Sequence, residues 1–257
     1  MKNFKRLILF GDSYTYGHSL PDCFIPPVGP GLKPSKLGYG NRLADKLNIP
    51  TVLNYAMPGA SNKLIQHRII SFNNFTEDDL VIVQFSFKER TFYFNKDANS
   101  RMVGSWSLDI NDKEMLTEEW EYFLRRSSHE MLYDSYLSIL GALTFLESKP
   151  CILHCMCCDD IQTVYGHLVN ENNKHITEGI DASNLYQDEF IKNTIDKVIS
   201  KMTLQQEFFD FWEYCKVEND LALDNRHPGV NSHIYLAELI LLKITNQKFS
   251  LPKNSLI

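Results

Sequence analysis

The sequence lacks any hydrophobic run that could cross a membrane, since no window approaches about 18 uninterrupted apolar residues. It also lacks a basic excess: 26 Lys and Arg residues stand against 32 Asp and Glu residues in 257, a formal net charge of −6. Proteins that bind nucleic acid usually carry a basic patch, so we expect neither a nucleic-acid nor a membrane partner. Internal repeats are also missing, and the length fits one domain, 1–257.

Cysteine is present, but its spacing does not indicate a metal site. Six cysteines occur, and the run 155–158, Cys-Met-Cys-Cys, lacks the paired Cys-x2-Cys spacing of structural zinc sites. Its apolar flank predicts an interior strand with free, buried thiols. Reduced thiols suit the cytoplasm. Residues 1–6 are rich in basic side chains, but the apolar run that follows them is too short for a signal peptide. We therefore expect a cytoplasmic protein.

Short apolar runs alternate with amphipathic segments along the chain. They predict strands at 6–10, 51–55, 80–85 and 151–156, and helices at 36–48, 61–73, 117–147, 187–201, 203–216 and 229–244. Alternating βα units form a parallel sheet covered by helices. We therefore predict an α/β fold, a flavodoxin-like three-layer α/β/α sandwich with a central parallel sheet of about five strands. In such folds ligands bind at the carboxyl ends of the strands.

Three long segments follow strands at that edge: 20–37, 91–116 and 159–186. The first holds five of the ten prolines, the second is rich in aromatic residues, and the third is polar. Loops on a rigid scaffold often carry specificity, so we interpret the three as insertions in the single domain. Aromatic rings with amide groups would suit a sugar, although packing beneath long loops explains the aromatic residues equally well.

Gly11-Asp12-Ser13 directly follows the first predicted strand. A strand that ends at a glycine turn leaves the serine hydroxyl facing a cleft rather than the core. Near the other end of the chain, Asp224 and His227 stand three residues apart. A serine, a histidine and an aspartate together can perform nucleophilic acyl transfer. Each half alone has a simpler explanation, an ordinary turn for the first and an aspartate capping the last helix for the second.

Together the two motifs resemble those of the SGNH (GDSL-type) hydrolases. The resemblance implies that Ser13 is the nucleophile, that His227 is the general base and that Asp224 orients it. Residues 43–62 resemble the family's second block, in which a glycine N–H binds the oxyanion, and Gly59 is the matching position. The N–H of Ser13 would be the other donor of this oxyanion hole.

The third block departs from the family pattern. After the strand predicted at 80–85 the family normally has Gly-x-Asn-Asp, whereas residues 86–90 read Ser-Phe-Lys-Glu-Arg. The asparagine that completes the oxyanion hole is absent, and losing one such donor lowers the rate by about 100- to 1,000-fold. We expect a substitute donor among Lys88, Arg90, Asn62 and Ser86. The alternative is that 88–90 is a charged loop exit with no catalytic role.

The resemblance implies ester hydrolysis through an acyl-enzyme, with no metal or organic cofactor. We expect a small-molecule or glycan ester with a small acyl group such as acetyl, and Asp12, Phe87 and Cys158 are candidates for contacting it.

Other functions fit parts of the same pattern. An acyltransferase would use the same residues with an alcohol in place of water, and a catalytically decayed SGNH-like binding module would explain the missing asparagine. His233 is an alternative base, but no aspartate stands three residues before it. A nucleotide-binding protein of the same architecture would need a Gly-x-Gly-x-x-Gly or Walker pattern, which the first turn lacks.

Overall fold

The structure is a computed structural model that describes residues 2–26, 29–94, 100–103, 128–159 and 189–245. Its strands are β1 (Arg6–Phe10), β2 (Thr51–Asn54), β3 (Asp79–Phe85), β4 (Thr91–Phe94), β5 (Ser100–Val103) and β6 (Ile152–Cys157). Four of them form a parallel sheet in the order β2-β1-β3-β6, and β4 and β5 pair as a separate antiparallel hairpin. The predicted α/β fold is confirmed, with four strands in the described sheet where about five were predicted.

Helices cover both faces of this sheet. They are α1 (Ser13–Tyr16), α2 (Tyr39–Leu47), α3 (Asn62–Ser71), α4 (Ser128–Glu147), α5 (Glu189–Lys201), α6 (Gln205–Val217) and α7 (Val230–Thr245). Buried side chains of α3, α4 and α5 form one apolar cluster on the sheet, and those of α2, α6 and α7 form another. The helices on the two faces are the outer layers of the predicted three-layer sandwich, and the two clusters are the cores between these layers and the sheet.

The residues of β1 alternate between these two clusters. Ile8 and Phe10 pack with α3 and α4, while Leu7 and Leu9 pack with α2 and α7. All four side chains are at most 1% exposed. Because both faces are buried, the strand reads as a continuous apolar run rather than as an alternating pattern. That run is what made β1 predictable.

The order of the strands places a crevice between β1 and β3. The chain leaves β1 toward β2 on one side and leaves β3 toward β6 on the other side. In open parallel sheets, a switch of direction of this kind opens a crevice at the carboxyl ends of the two strands. Residues 11–13 follow β1 and residues 86–90 follow β3. The serine motif at 11–13 and the third block at 86–90 therefore meet at the same edge of the sheet.

The predicted helices lie where expected in the described residues, with ends shifted by a few residues, whereas 117–127, the first part of the helix predicted at 117–147, lies outside them. The helix predicted at 36–48 is Tyr39–Leu47, and the one predicted at 203–216 is Gln205–Val217. The short helix α1 and the β4–β5 hairpin were not predicted. Among the described residues no helix is both long and apolar enough to cross a membrane. The single-domain organisation stays a prediction, because 104–127 and 160–188 lie outside the described residues.

Gly11 lies where the turn after β1 touches its neighbours. A Cβ on Gly11 would lie 2.5 Å from Thr15 Oγ1 and 3.2 Å from Gln84 Cβ. We expect Gly11→Ala to lower the free energy of unfolding by about 1–3 kcal/mol, since overpacking forces neighbours to move. Urea denaturation measures the change. Gly38→Ala is the matched control, because a Cβ there meets Ser35 O at an ordinary 3.5 Å. Equal losses in the two variants would show that Gly11 is not sterically required.

Candidate active site

Ser13 begins α1, and side chains on both flanks hold its turn. The carboxylate of Asp12 is the N-cap and accepts a hydrogen bond from Tyr14 N at 3.0 Å. Gln84 Oε1, near the end of β3, accepts hydrogen bonds from Thr15 N at 3.2 Å and from Thr15 Oγ1 at 2.7 Å. Among the described residues, the N–H of Ser13 has no acceptor, unlike the two N–H groups that follow it. This N–H therefore has an unused capacity to donate a hydrogen bond.

Asp224 and His227 form a hydrogen-bonded pair in the loop before α7. Asp224 Oδ2 lies 2.6 Å from His227 Nδ1, while Oδ1 accepts hydrogen bonds from Arg226 N at 3.0 Å and from His227 N at 3.1 Å. The loop reverses at Asn225, whose φ of 56° is a left-handed conformation that asparagine tolerates.

The environment of Asp224 keeps its carboxylate ionised. Burial raises its pKa, but the hydrogen bonds from Arg226 N and from His227 outweigh burial and hold the pKa at about 2. Because the carboxylate faces Nδ1 of His227, Nε2 is the ring nitrogen left to exchange a proton with another group.

This pair packs against the serine turn. The ring centroids of Tyr14 and His227 lie 5.7 Å apart, and the ring of His18 is stacked on His227 with a centroid distance of 4.3 Å. His18 N also donates a hydrogen bond to Ser13 O at 3.0 Å. Within the described residues, Ser13 Oγ forms no hydrogen bond with His227. In resting enzymes this contact is often long and tightens only when substrate binds.

His18 lies beside both His227 and the serine turn, although no sequence motif identifies it. It follows Gly17, the C-cap of α1 with a φ of 72°, and only the fold brings it to His227. Burial, and next the neighbouring His227, lower the pKa of His18 to about 4, so this ring is neutral at pH 7. Ligand atoms of His18, Asp224 and His227 all lie within 4.8 Å of one another.

A tight turn at 57–60 carries the second predicted oxyanion donor. Ala60 N donates a hydrogen bond to Met57 O at 3.0 Å, and Gly59 has a φ of 76°. Proline followed by a glycine of positive φ is typical of a type II turn. Met57 N donates to Gly11 O at 3.0 Å, which fixes this turn beside the serine turn. Among the described residues, the N–H of Gly59 has no acceptor.

Asp12 is fully buried, and Arg90 balances its charge. Arg90 Nη1 forms an ion pair with Asp12 Oδ2 and donates a hydrogen bond to Ser86 Oγ at 2.9 Å. Ser86 Oγ in turn lies 3.0 Å from Asp12 Oδ2. Burial lowers the pKa of Arg90, but the charge of Asp12 outweighs it and raises that pKa. Two predicted substitute donors, Ser86 and Arg90, therefore bind Asp12, and Asp12 itself contacts protein groups rather than an open cleft.

Asn62 and Lys88, the other two predicted donors, have different surroundings. Asn62 Nδ2 donates hydrogen bonds to Ser86 O at 2.9 Å and to Ser135 Oγ at 2.7 Å, which engage both amide hydrogens. Asn62 Oδ1 accepts from Ser86 N at 2.6 Å, so this side chain fastens the end of β3 to α4. Lys88 N donates to Asp159 Oδ2 at 2.6 Å, and burial raises the pKa of Asp159 to about 6.

All six cysteines are free thiols, as the sequence predicts. Cys158 is a predicted substrate contact. Its Sγ lies 3.7 Å from Asp12 Oδ2 and accepts a hydrogen bond from Gln84 Nε2 at 2.9 Å. Burial raises the pKa of its thiol, so Cys158 is protonated at neutral pH. Phe87, the third such candidate, lies under the Arg90 guanidinium at 4.8 Å from the ring centroid.

Two alternative explanations from the sequence are wrong. His233 is 1% exposed, and its Nδ1 accepts a hydrogen bond from Tyr39 N at 3.2 Å, so it does not face the cleft as a base. The start of α7 is held by Asp220, whose Oδ2 accepts hydrogen bonds from Ser232 N at 2.5 Å and from Ser232 Oγ at 2.7 Å. Asp224 is therefore not the cap of that helix.

No protein-family model and no curated protein sequence matches the chain. Several solved structures resemble it at low identity. A member of the lipolytic G-D-S-L family from Veillonella parvula is 11% identical, with a TM-score of 0.47 over 95% of this chain and 99% of that one. An acetylxylan esterase from Geobacillus stearothermophilus is 16% identical, with a TM-score of 0.44 over 95% and 96%. A carbohydrate esterase is 12% identical, with a TM-score of 0.49 over 95% and 69%.

Proposed function

We propose that this chain is a serine esterase of the SGNH type, with Ser13 as nucleophile, His227 as general base and Asp224 as the carboxylate that orients the base. The observation that supports it most is the Asp224–His227 hydrogen bond of 2.6 Å, packed against the serine turn. The side chain of His227 is 20% exposed and that of Asp224 is 6% exposed. This difference suits the two roles, because the base must reach the substrate and the carboxylate must not.

The proposed reaction follows from these positions. Ser13 Oγ gives its proton to His227 Nε2 and attacks the carbonyl carbon of the ester. The bond to the alcohol then breaks, the alcohol leaves with the proton from His227, and the acyl group stays on Ser13. Water then gives a proton to the same nitrogen and attacks the acyl carbon, the bond between that carbon and Ser13 Oγ breaks, and Ser13 Oγ takes the proton back from His227 as the acid is released. Asp224, held ionised by a pKa of about 2, stabilises the imidazolium that forms in each step.

The oxyanion of each step would be bound by the N–H groups of Ser13 and Gly59, which have no other acceptor among the described residues. Asn62 has no amide hydrogen left for this task. We assign Arg90 a positioning role, because it neutralises the carboxylate that caps α1. Lys88 is the predicted donor whose side chain forms no hydrogen bond or ion pair with the described residues, and it is our candidate for a third donor.

The substrate we propose is an ester of a small acyl group such as acetyl, carried by a small molecule or a glycan. Phe87 and Trp212 stand edge-on to Tyr14, with centroid distances of 6.3 and 5.2 Å, and both are partly exposed. They offer an aromatic wall next to His227. Such a wall suits an acyl methyl group or the apolar face of a sugar.

A catalytically decayed binding module is the second candidate function. It is favoured by the serine hydroxyl, which forms no hydrogen bond with His227 among the described residues, and by the missing asparagine. An acyltransferase would use the same three residues with an alcohol acceptor. Turnover of a simple acetyl ester separates an enzyme from a binding module, and a transfer product formed with added alcohols separates a transferase from a hydrolase.

A fluorophosphonate probe should label the protein at Ser13, because an activated serine attacks phosphorus as it attacks a carbonyl carbon. Mass spectrometry of the peptides locates the adduct. Ser13→Ala should carry none, while Ser148→Ala, which changes an exposed serine of the surface, should be labelled like the parent. Equal labelling of Ser13→Ala and the parent would reject Ser13 as nucleophile. Absence of labelling in the parent would favour the binding module.

A further inference from the structure

Three potential metal ligands converge beside the serine turn: two imidazoles and one carboxylate. The rings of His18 and His227 are stacked with a centroid distance of 4.3 Å and an interplanar angle of 29°. Asp224 Oδ2 lies 2.6 Å from His227 Nδ1. One ligand atom from each of the three side chains lies within 4.8 Å of the other two, and all three residues are partly exposed. An ion could therefore reach them from solvent.

We propose that the His18–Asp224–His227 cluster binds a divalent transition-metal ion of the zinc type, and that the bound ion blocks His227. Two histidines and one carboxylate form a ligand set that zinc uses, and a fourth position stays open for water. In a tetrahedral zinc site the ligand atoms lie about 3.4 Å apart, given metal–ligand bonds of about 2.1 Å. The three side chains therefore need shifts of about 1 Å to close around an ion.

The two loops that carry these ligands are tied together, so the site is partly preformed. His18 lies in the loop after α1, and its N–H is held by Ser13 O at 3.0 Å. Asp224 and His227 lie in the loop before α7. Leu223 N donates a hydrogen bond to Ser19 O at 3.0 Å, which joins the two loops one residue away from His18 and Asp224. Ligand loops fixed in this way need little ordering when a metal binds.

A bound ion would compete with the proposed reaction. Both His227 and the carboxylate that orients it would become ligands, so the ring could no longer take the proton of Ser13. This consequence depends on the proposed function, whereas the metal site itself does not. Zinc would then act as a reversible inhibitor of an enzyme that needs no metal for turnover.

Calorimetric titration of chelator-treated protein with Zn²⁺ tests the site. We expect the parent to bind one Zn²⁺ ion. His18→Ala and His18→Phe should each lower the affinity for Zn²⁺ more than about 100-fold, since even the loss of an outer partner of a metal ligand lowers affinity by 10- to 100-fold. His18→Phe keeps a ring on His227 and guards against loss of packing in the alanine variant. His67→Ala, at an exposed histidine of α3, should bind as the parent does. Unchanged Zn²⁺ binding in both His18 variants would overturn the proposal.

Labelling by the fluorophosphonate probe in the presence of Zn²⁺ tests the inhibition separately. We expect Zn²⁺ to slow the labelling of the parent at least tenfold. At the same Zn²⁺ concentration, the labelling rate of His18→Phe should equal the rate of that variant without metal. If Zn²⁺ binds through His18 but labelling is not slowed, the inhibitory role is wrong. If the parent is not labelled without metal, the proposed function fails, while the titration still decides the metal site. Mg²⁺, which prefers oxygen ligands, should have no effect on either measurement.

Discussion

Replacing His227 with alanine should lower kcat by about 10⁴- to 10⁶-fold and leave the fold intact. The large loss is expected because, in a serine triad, removing the base alone is about as damaging as removing the nucleophile. The neighbouring His18 is too weak a base to take over, since burial, the largest cause of its lowered pKa, remains in the variant. The fold should survive because the ring is at the surface edge of its loop, 20% exposed. Steady-state kinetics on an acetyl ester measures the loss, and circular dichroism checks the fold.

The combination with Ser13→Ala separates a catalytic unit from two independent contributions. We expect the double variant to be within about tenfold of either single variant, because triad members fail together. His67→Ala is the matched control, because it replaces an exposed histidine far from His227 in the sequence, and it should keep the parental kcat. A His227→Ala variant that turns over within tenfold of the parent would remove His227 from the mechanism. Losses that multiply in the double variant would show that Ser13 and His227 do not act as one unit.

The parts of the fold that could be predicted are those set by local sequence patterns. The buried runs of β1 and β3 are apolar on both faces, so their positions were visible without knowledge of their partners. Gly59 was singled out by the resemblance of residues 43–62 to a known block, but the turn at 57–60, in which Gly59 has a positive φ, was not predicted. Asp224 and His227 are three residues apart, and their hydrogen bond forms within one loop.

The parts that could not be predicted depend on contacts between distant residues. The stacking of His18 on His227 joins positions at opposite ends of the chain, and no spacing signals it. The same holds for Arg90, whose partner Asp12 belongs to the first strand turn. The sequence correctly placed Arg90 at the carboxyl ends of the strands. It suggested that Arg90 is an oxyanion donor, whereas in the structure its guanidinium is bound to a buried carboxylate. The hairpin of β4 and β5 was missed because its short strands lack a clear alternating pattern.

Arg90→Ala should lower the free energy of unfolding by about 3–5 kcal/mol, the usual effect of leaving a buried charge without its partner. Asp12 is 0% exposed, and among the described residues the variant would leave its carboxylate with three uncharged partners, Ser86 Oγ, Tyr14 N and Cys158 Sγ. Urea denaturation measures the loss. Arg90→Lys should lose less, because it keeps the charge but not the planar group that contacts both Asp12 and Ser86. Lys88→Ala is the matched control and should change stability by less than about 0.5 kcal/mol, since Lys88 holds Asp159 through its backbone.

The double variant Asp12→Asn/Arg90→Met decides how Arg90 contributes to catalysis. It removes both buried charges and keeps an oxygen that can cap α1, so it should be more stable than Arg90→Ala. If Arg90 acts only by holding Asp12 beneath the serine turn, kcat of the double variant should return to within about tenfold of the parent. If Arg90 itself binds the oxyanion, kcat should stay about 100- to 1,000-fold low with KM unchanged, because such a donor acts in the transition state. That second result would overturn the positioning role and make Arg90 the substitute for the missing asparagine. A low kcat in Lys88→Ala alone would assign that substitution to Lys88.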